Sequence, residues 1–195
     1  MLAESGLPAF SPPGRARPRV AFAAPLPDRF AAERELADIM LTQLEPAWRV
    51  REALHDRMPA GWRLVDVFDV WLGAPALAGQ VVAADYRIDL GDVDPAPVQA
   101  AATQMVAAGS LPRERLKRGS AVPYDLRPLL ADVQVADPGP PLWIRARTRF
   151  HRELGVGRPE EVVACLAAAS GVDLVVGSIV RERLILADDL GETSG

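Results

Sequence analysis

The sequence predicts an α/β (α+β) protein of antiparallel sheets backed by helices, and three observations carry the prediction. The composition, 49% apolar and 25% charged over 195 residues, is that of a chain that buries a core. Residues 83–90 and 142–150 alternate apolar with charged side chains, the period of a half-buried strand. Two segments of helical period carry their own start and stop residues. Asp94 and Pro95 precede Val98, Ala102 and Met105, with Gly109 after them; Pro159, Glu160 and Glu161 precede Val163, Leu166 and Ala167, with Gly171 after them. With strands at 126–135 and 179–187, the second half reads β-α-β-β-α-β, the split βαβ or ferredoxin-like succession.

The other elements follow in order. Residues 1–19 form an irregular arm, rich in Pro, Gly and Arg and without an apolar period. A short strand at 20–26 comes next. Leu36, Ile39, Met40 and Leu44 fall at helical spacing, so periodicity alone predicts a helix over 33–44. Pro46, at a first helical position, opens a helix with Ala47, Val50, Leu54 and Met58 on one face, ending before Pro59 and Gly61. Residues 62–72 alternate as a β-rich strand with both faces partly apolar. The connector at 73–80 is the best internal boundary, which makes 20–80 a first unit and 81–187 a second; 188–195 is a flexible tail.

Composition excludes several classes of function. Cys165 is the only cysteine, so there is neither an internal disulfide nor an all-cysteine cluster site. There is no phosphate loop, dinucleotide fingerprint or zinc spacing, and no metal or cofactor is expected. No segment approaches the roughly 20 apolar residues that span a bilayer, and no signal-peptide pattern follows Met1. A cytoplasmic protein without membrane contact is therefore expected. The net charge of −4 argues against a generalised nucleic-acid binder. The charge is uneven, however: between Leu111 and His151 eight cations face four anions, so the remainder is strongly acidic.

A set of short motifs runs along the chain in order: Gly6-Leu7-Pro8, Phe10-Ser11, Arg17-Pro18-Arg19-Val20, Ala24-Pro25-Leu26-Pro27, Glu35-Leu36 with Asp38, and Pro59-Ala60-Gly61-Trp62. Ala84-Asp85-Tyr86-Arg87, Tyr124-Asp125-Leu126-Arg127-Pro128 and the closing Arg181 with Leu184 complete it. On these residues, from 6 to 187, the chain resembles the radical SAM-linked protein family, a family of unknown function whose members are encoded beside, or fused to, a radical SAM protein. The resemblance implies a strand rather than a helix within 33–44. The first half then reads β-β-α-β, a ferredoxin-like unit that is incomplete because its first strand and helix are missing. It also implies a separate radical SAM protein as partner, since one cysteine cannot hold the three-cysteine cluster. The family's gene neighbourhood, with a ribonuclease and ribosomal proteins, implies RNA metabolism, and the resemblance supplies no catalytic residues. Two departures stand out. The family has a further strand and helix before the Gly6-Leu7-Pro8 turn, where this chain has only Met1 to Ser5, which implies either a misplaced start or a shortened member. It also favours a Ser-Glu/Gln-Gly-Phe-Asn/Ser-Pro stretch where this chain has Ser11-Pro12-Pro13-Gly14-Arg15-Ala16.

The sharpest candidate site lies on the 142–150 strand. Trp143, Arg145, Arg147 and Arg149 share one face, which spaces the guanidinium groups about 7 Å apart beside an indole. Such a row neutralises successive phosphates while the indole stacks on a base. The alternative is a solvated strand face with cross-strand acidic partners. Arg113, Arg115, Lys117 and Arg118 make a basic hairpin, either a second anion contact or a merely solvated loop. Arg127 is either a structural arginine or a phosphate contact. His55 sits on the polar side of its helix, His151 lacks a partner at informative spacing, and Cys165 lies among Val163, Leu166 and Ala167.

Three functions follow. The leading one is a noncatalytic accessory or substrate-presenting module for a separate radical SAM protein, with RNA as the presented substrate. The second is a metal-independent ribonuclease using His151 and nearby arginines. The third is a protein-binding module completed by strand addition.

Overall fold

The computed structural model describes residues 2–117 and 119–190. The strands are β1 (Val20–Phe22), β2 (Ala31–Ala32), β3 (Ala37–Ile39), β4 (Val81–Asp89), β5 (Pro112–Lys117), β6 (Ser120–Asp125), β7 (Leu130–Asp137), β8 (Trp143–His151), β9 (Gly155–Val156) and β10 (Ser178–Leu186). The helices are α1 (Ala47–His55), α2 (Leu77–Gln80), α3 (Pro95–Ala107) and α4 (Pro159–Ser170). The fold is mixed α+β, with mostly antiparallel sheets. The chain forms two compact units, unit 1 of Met1–Pro25 and Leu36–Gln80 and unit 2 of Leu26–Glu35 and Val81–Gly195. Residues 26–35, early in the chain, thus belong to unit 2.

Unit 2 is built on the strand order β2-β10-β4-β8-β7, with β9 on β8. All its ladders are antiparallel except β2 on β10. The succession β4-α3-β7-β8-α4-β10 is the β-α-β-β-α-β order that the sequence predicts, with the β5-β6 hairpin inserted after α3. Alternation places Tyr86, Ile88, Ile144, Ala146 and Val133 in the core, together with Val98, Ala102, Met105, Val162 and Leu166 of α3 and α4. Pairing between β4 and β8 sets Asp85 opposite Arg147 and Arg87 opposite Arg145 on the other face.

Asp94 accepts a hydrogen bond from Ala96 N at the start of α3, and Gly171 ends α4 in the left-handed conformation, as the sequence predicts. The end of α3 is different. Ala108 is its last cap, in extended conformation, and the orphan carbonyls are satisfied by a side chain from elsewhere. Arg127 donates from Nη2 to Val106 O at 2.8 Å and from Nε to Ala108 O at 2.9 Å.

In unit 1, β1 pairs antiparallel with β3. The helix that periodicity predicts over 33–44 does not form: residues 33–36 are irregular and Ala37–Ile39 is strand β3. Long-range bonds explain this, since Glu33 N donates to Arg181 O and Ala23 N to Leu36 O. Helix α1 forms with Val50 and Leu54 buried, but Pro46 is its N-cap rather than its first residue. The strand predicted over 62–72 is absent; these residues are irregular. The arm before β1 is stitched in by Phe10 N to Met40 O and Arg19 N to Phe10 O. Leu7 and Ala9 pack on the small core of Leu2, Val50 and Leu54.

One buried contact holds residues 26–35 to unit 2. Arg181 is 1% exposed, and its Nε donates to Glu35 Oε1 at 2.7 Å while Nη2 donates to Glu35 Oε2. Breaking a buried pair leaves one charge uncompensated, so Glu35→Ala should cost about 3–5 kcal/mol in denaturant titration. Thr148 offers the opposite case, a fully buried hydroxyl with no hydrogen-bond partner among the described residues. Thr148→Val should leave stability unchanged or raise it by about 1 kcal/mol in the same titration, because it removes an unsatisfied group at constant shape.

Candidate functional site

Helices α3 and α4 pack on each other, with α3 against β7 and α4 against β8. The opposite sheet face is open. Period-2 alternation gives it Asp85 and Arg87 from β4, Asp132 and Gln134 from β7, Trp143, Arg145, Arg147 and Arg149 from β8, and Arg183 from β10. A bulge between Arg181 and Arg183 adds Glu182. Of these, Asp85, Asp132, Gln134, Arg145, Arg147, Glu182 and Arg183, together with Glu33, Arg34 and Ala146, line a groove of about 450 Å³.

The arginines are held largely by acids of neighbouring strands. Arg147 forms a two-pronged pair with Asp85, Nε to Oδ1 at 2.6 Å and Nη2 to Oδ2 at 2.9 Å. Arg183 Nε reaches the same carboxylate at 2.9 Å. Arg145 lies 3.4 Å from Glu182, and Arg87 bonds Glu33 at 2.9 Å. Burial raises the Asp85 pKa, but the hydrogen bonds and charges of Arg147 and Arg183 outweigh it and hold the carboxyl below its ordinary value. Among the described residues Arg149 bonds carbonyls only, Leu130 O at 3.0 Å and Pro128 O at 3.3 Å. Trp143 is half-buried with the Arg87 guanidinium 5.1 Å from its ring centroid. The row of Arg145, Arg147 and Arg149 is therefore present as the sequence predicts, yet it is interlocked with Asp85 and Glu182.

The other sequence candidates are not gathered here. Arg113 pairs with Glu161 of α4 at 3.1 Å, and the Arg115 guanidinium lies 5.3 Å from the Tyr124 ring centroid. Burial, then Glu161, pushes the Tyr124 hydroxyl up to about 12. Lys117 ends β5 opposite Ser120, and Arg118 lies outside the described residues. Arg127 spends its whole guanidinium on main-chain carbonyls, the third being Leu130 O at 2.7 Å. Its neighbour Asp125 accepts from Leu111 N and Arg127 N, and these backbone bonds lower its pKa. The Tyr124 to Pro128 motif thus builds the turn and closes α3.

His151 Nδ1 accepts from Glu153 N and Leu154 N at 3.2 Å, which fixes a turn. His55 contacts Asp56 on the surface. Cys165 is buried, which pushes its thiol pKa up. Among the described residues no group of three His, Cys, Asp or Glu side chains is placed to hold a metal ion, and no helix is long and apolar enough to cross a membrane.

Sequence reasoning missed Arg34, Arg87, Arg183 and the acids Glu33, Asp85 and Glu182. The alternation of 83–90 put Asp85 and Arg87 on the polar face, but strand order alone makes them neighbours of β8 and β10. The open charged face of unit 2 falls largely inside residues 9–163, which match the family described as "Uncharacterized protein conserved in bacteria (DUF2344)". The chain belongs to that family. No curated protein matches it. Within this family member, Arg183 and Glu182 stand outside the matched span and are joined to the face by the β10 ladder.

The depressed Asp85 pKa has a defined pH signature. Its pairing is fully present above the unfolded carboxyl value near 3.8 and is lost as pH falls through the lower folded value. The stability difference between the protein and Asp85→Asn should therefore be constant near neutrality and shrink below about pH 4, followed by urea titration at each pH.

Proposed function

We propose that this DUF2344 member is a noncatalytic accessory module that presents single-stranded RNA to a separate radical SAM protein in the cytoplasm. The observation that carries the RNA part is the open antiparallel sheet face, where Arg34, Arg87, Arg145, Arg147, Arg149 and Arg183 outnumber Glu33, Asp85, Asp132 and Glu182. An open sheet with helices behind it is a recurrent platform for single-stranded RNA, and the β-α-β-β-α-β succession supports a ferredoxin-like reading of unit 2. Phosphates compete with the carboxylates for guanidinium groups that are already positioned across the sheet. The cross-strand acids lower affinity and keep the face from binding polyanions indiscriminately. The radical SAM partner rests on the family resemblance and on the single cysteine.

The test is binding of a fluorescent single-stranded RNA as a function of salt. Three phosphates neutralised on a single strand give a log-log slope near −2. Arg145→Ala, Arg147→Ala and Arg149→Ala together should weaken binding by several tens of fold and flatten that slope. Arg149→Ala alone, which orphans no carboxylate, should weaken it by about threefold to tenfold, and Trp143→Ala should cost about 1–3 kcal/mol if the indole stacks on a base. Arg49→Ala on α1 is the control. Undetectable binding at low salt, or equal effects of Arg49→Ala and the triple replacement, would remove the RNA reading.

A further inference from the structure

We infer that Asp132, on the edge strand of the open face, determines the base specificity of the RNA site and selects guanine. The inference rests on the RNA reading proposed above and adds to it which base the groove prefers.

A row of side chains runs straight across the sheet. The registers set Asp132 of β7 opposite Arg147 of β8, Arg147 opposite Asp85 of β4, and Asp85 opposite Arg183 of β10. Charge alternates along this row, but the ion pairing is one-sided. Asp85 takes Arg147 through two bonds and Arg183 through a third. With Nε and Nη2 of Arg147 turned toward Asp85, the carboxylate on the other flank of that arginine is left without an ion pair among the described residues. The remaining acids of the groove are engaged, Glu33 with Arg87 and Glu182 with Arg145. Among the described residues, Asp132 is thus the groove carboxylate that keeps both oxygens for a ligand. It still acts on Arg147 at a distance: the Asp85 hydrogen bond first, and the Asp132 charge last, raise the pKa of that arginine.

Its position suits a base rather than a phosphate. Strand β7 ends the strand order, and Asp132 and Gln134 are both exposed on it, about 7 Å apart on one face. A carboxylate repels phosphates, so the part of an RNA that settles against it is one that brings hydrogen-bond donors. Single-stranded RNA offers such donors on the Watson–Crick edges of its unstacked bases. Adenine and cytosine each present one amino group there and uracil one imino group. Guanine presents two adjacent donors, N1–H and the N2 amino group, which match the two oxygens of one carboxylate. Its O6, beside N1, then calls for a donor of its own. Arg147 lies directly across the ladder, and its Nη1 is not bonded to a described residue. The groove, at about 450 Å³, is large enough for a nucleotide. Arg145 and Arg183 remain beside it for the flanking phosphates.

The experiment compares, on the full chain, a fluorescent all-uridine RNA with the same RNA carrying one central guanosine, inosine, adenosine or cytidine. Guanosine should tighten binding about tenfold over uridine, the discrimination expected of one two-pronged contact. Inosine keeps N1–H and O6 and lacks only the N2 amino group, so it should lose most of that gain on the unaltered protein. Asp132→Asn should abolish the gain and raise affinity for the all-uridine RNA about twofold, because a negative charge leaves the phosphate-binding face. A misfolded variant would instead lose both. Equal binding of all five RNAs is the outcome for an acid that only blunts the edge strand. That result, a gain that inosine retains in full, or a gain that survives Asp132→Asn would each overturn the inference and leave the RNA reading standing. Failure of every RNA to bind at low salt would remove the RNA reading and this inference with it.

Discussion

An arginine removed almost entirely from water keeps its charge only where a counter-charge and further acceptors are built around it, and Arg181 is in that position. Burial acts against its ionisation, while the two-pronged bond it donates to Glu35 and contact with the Tyr86 hydroxyl act more strongly in favour. The consequence is topological. Glu35 lies 146 residues before Arg181, so the pair forces an early segment of the chain onto the last strand of unit 2. The short parallel pairing of Ala31 and Ala32 with Val180 and Arg181, and the bond from Glu33 N to Arg181 O, follow from the same requirement. With this segment in place, Glu33 reaches Arg87 and Arg34 borders the groove. The pair therefore shapes one border of the open charged face as well as the fold.

That face is electrostatically close to balance. Asp85 serves two arginines and Glu182 lies near two more, so each carboxylate is shared rather than dedicated. Partly exposed pairs of this kind contribute little net stability, which makes them exchangeable. A ligand that brings its own negative charges can take over the guanidinium groups without a large rearrangement. Arg127 lies at the other extreme: its three carbonyl bonds close a helix, and giving them up would orphan three acceptors. Arg127 and Arg147 thus differ in availability because of what their guanidinium groups already satisfy.

Unit 1 presents the complementary situation. Its apolar residues outnumber the neighbours available to bury them, and its β-rich segment at 62–72 stays open because a strand is stable only where its backbone finds a partner. Local preference for strand is strong there, but hydrogen bonding along a strand is never local. Helix α1, whose bonds are internal, forms in the same unit from a comparable length of sequence.

The sequence by itself determined the elements whose signals are local: the alternation of β4 and β8, the Asp94 start of α3, the Gly171 stop of α4, and the arginine row on one face of β8. It also determined the family, through short motifs whose order and spacing run along the chain. Only the tertiary structure decided how those elements use their residues. Whether Arg147 stands free or is clamped by Asp85 depends on which strand lies beside β8. Whether α3 ends at Gly109 or under Arg127 depends on a turn 19 residues away. Whether 33–44 is helix or strand depends on bonds to Arg181 and Ala23. In each case a side chain's chemistry is written in its own residue, whereas its partner is chosen by sheet order and register, which bring together positions far apart in the chain.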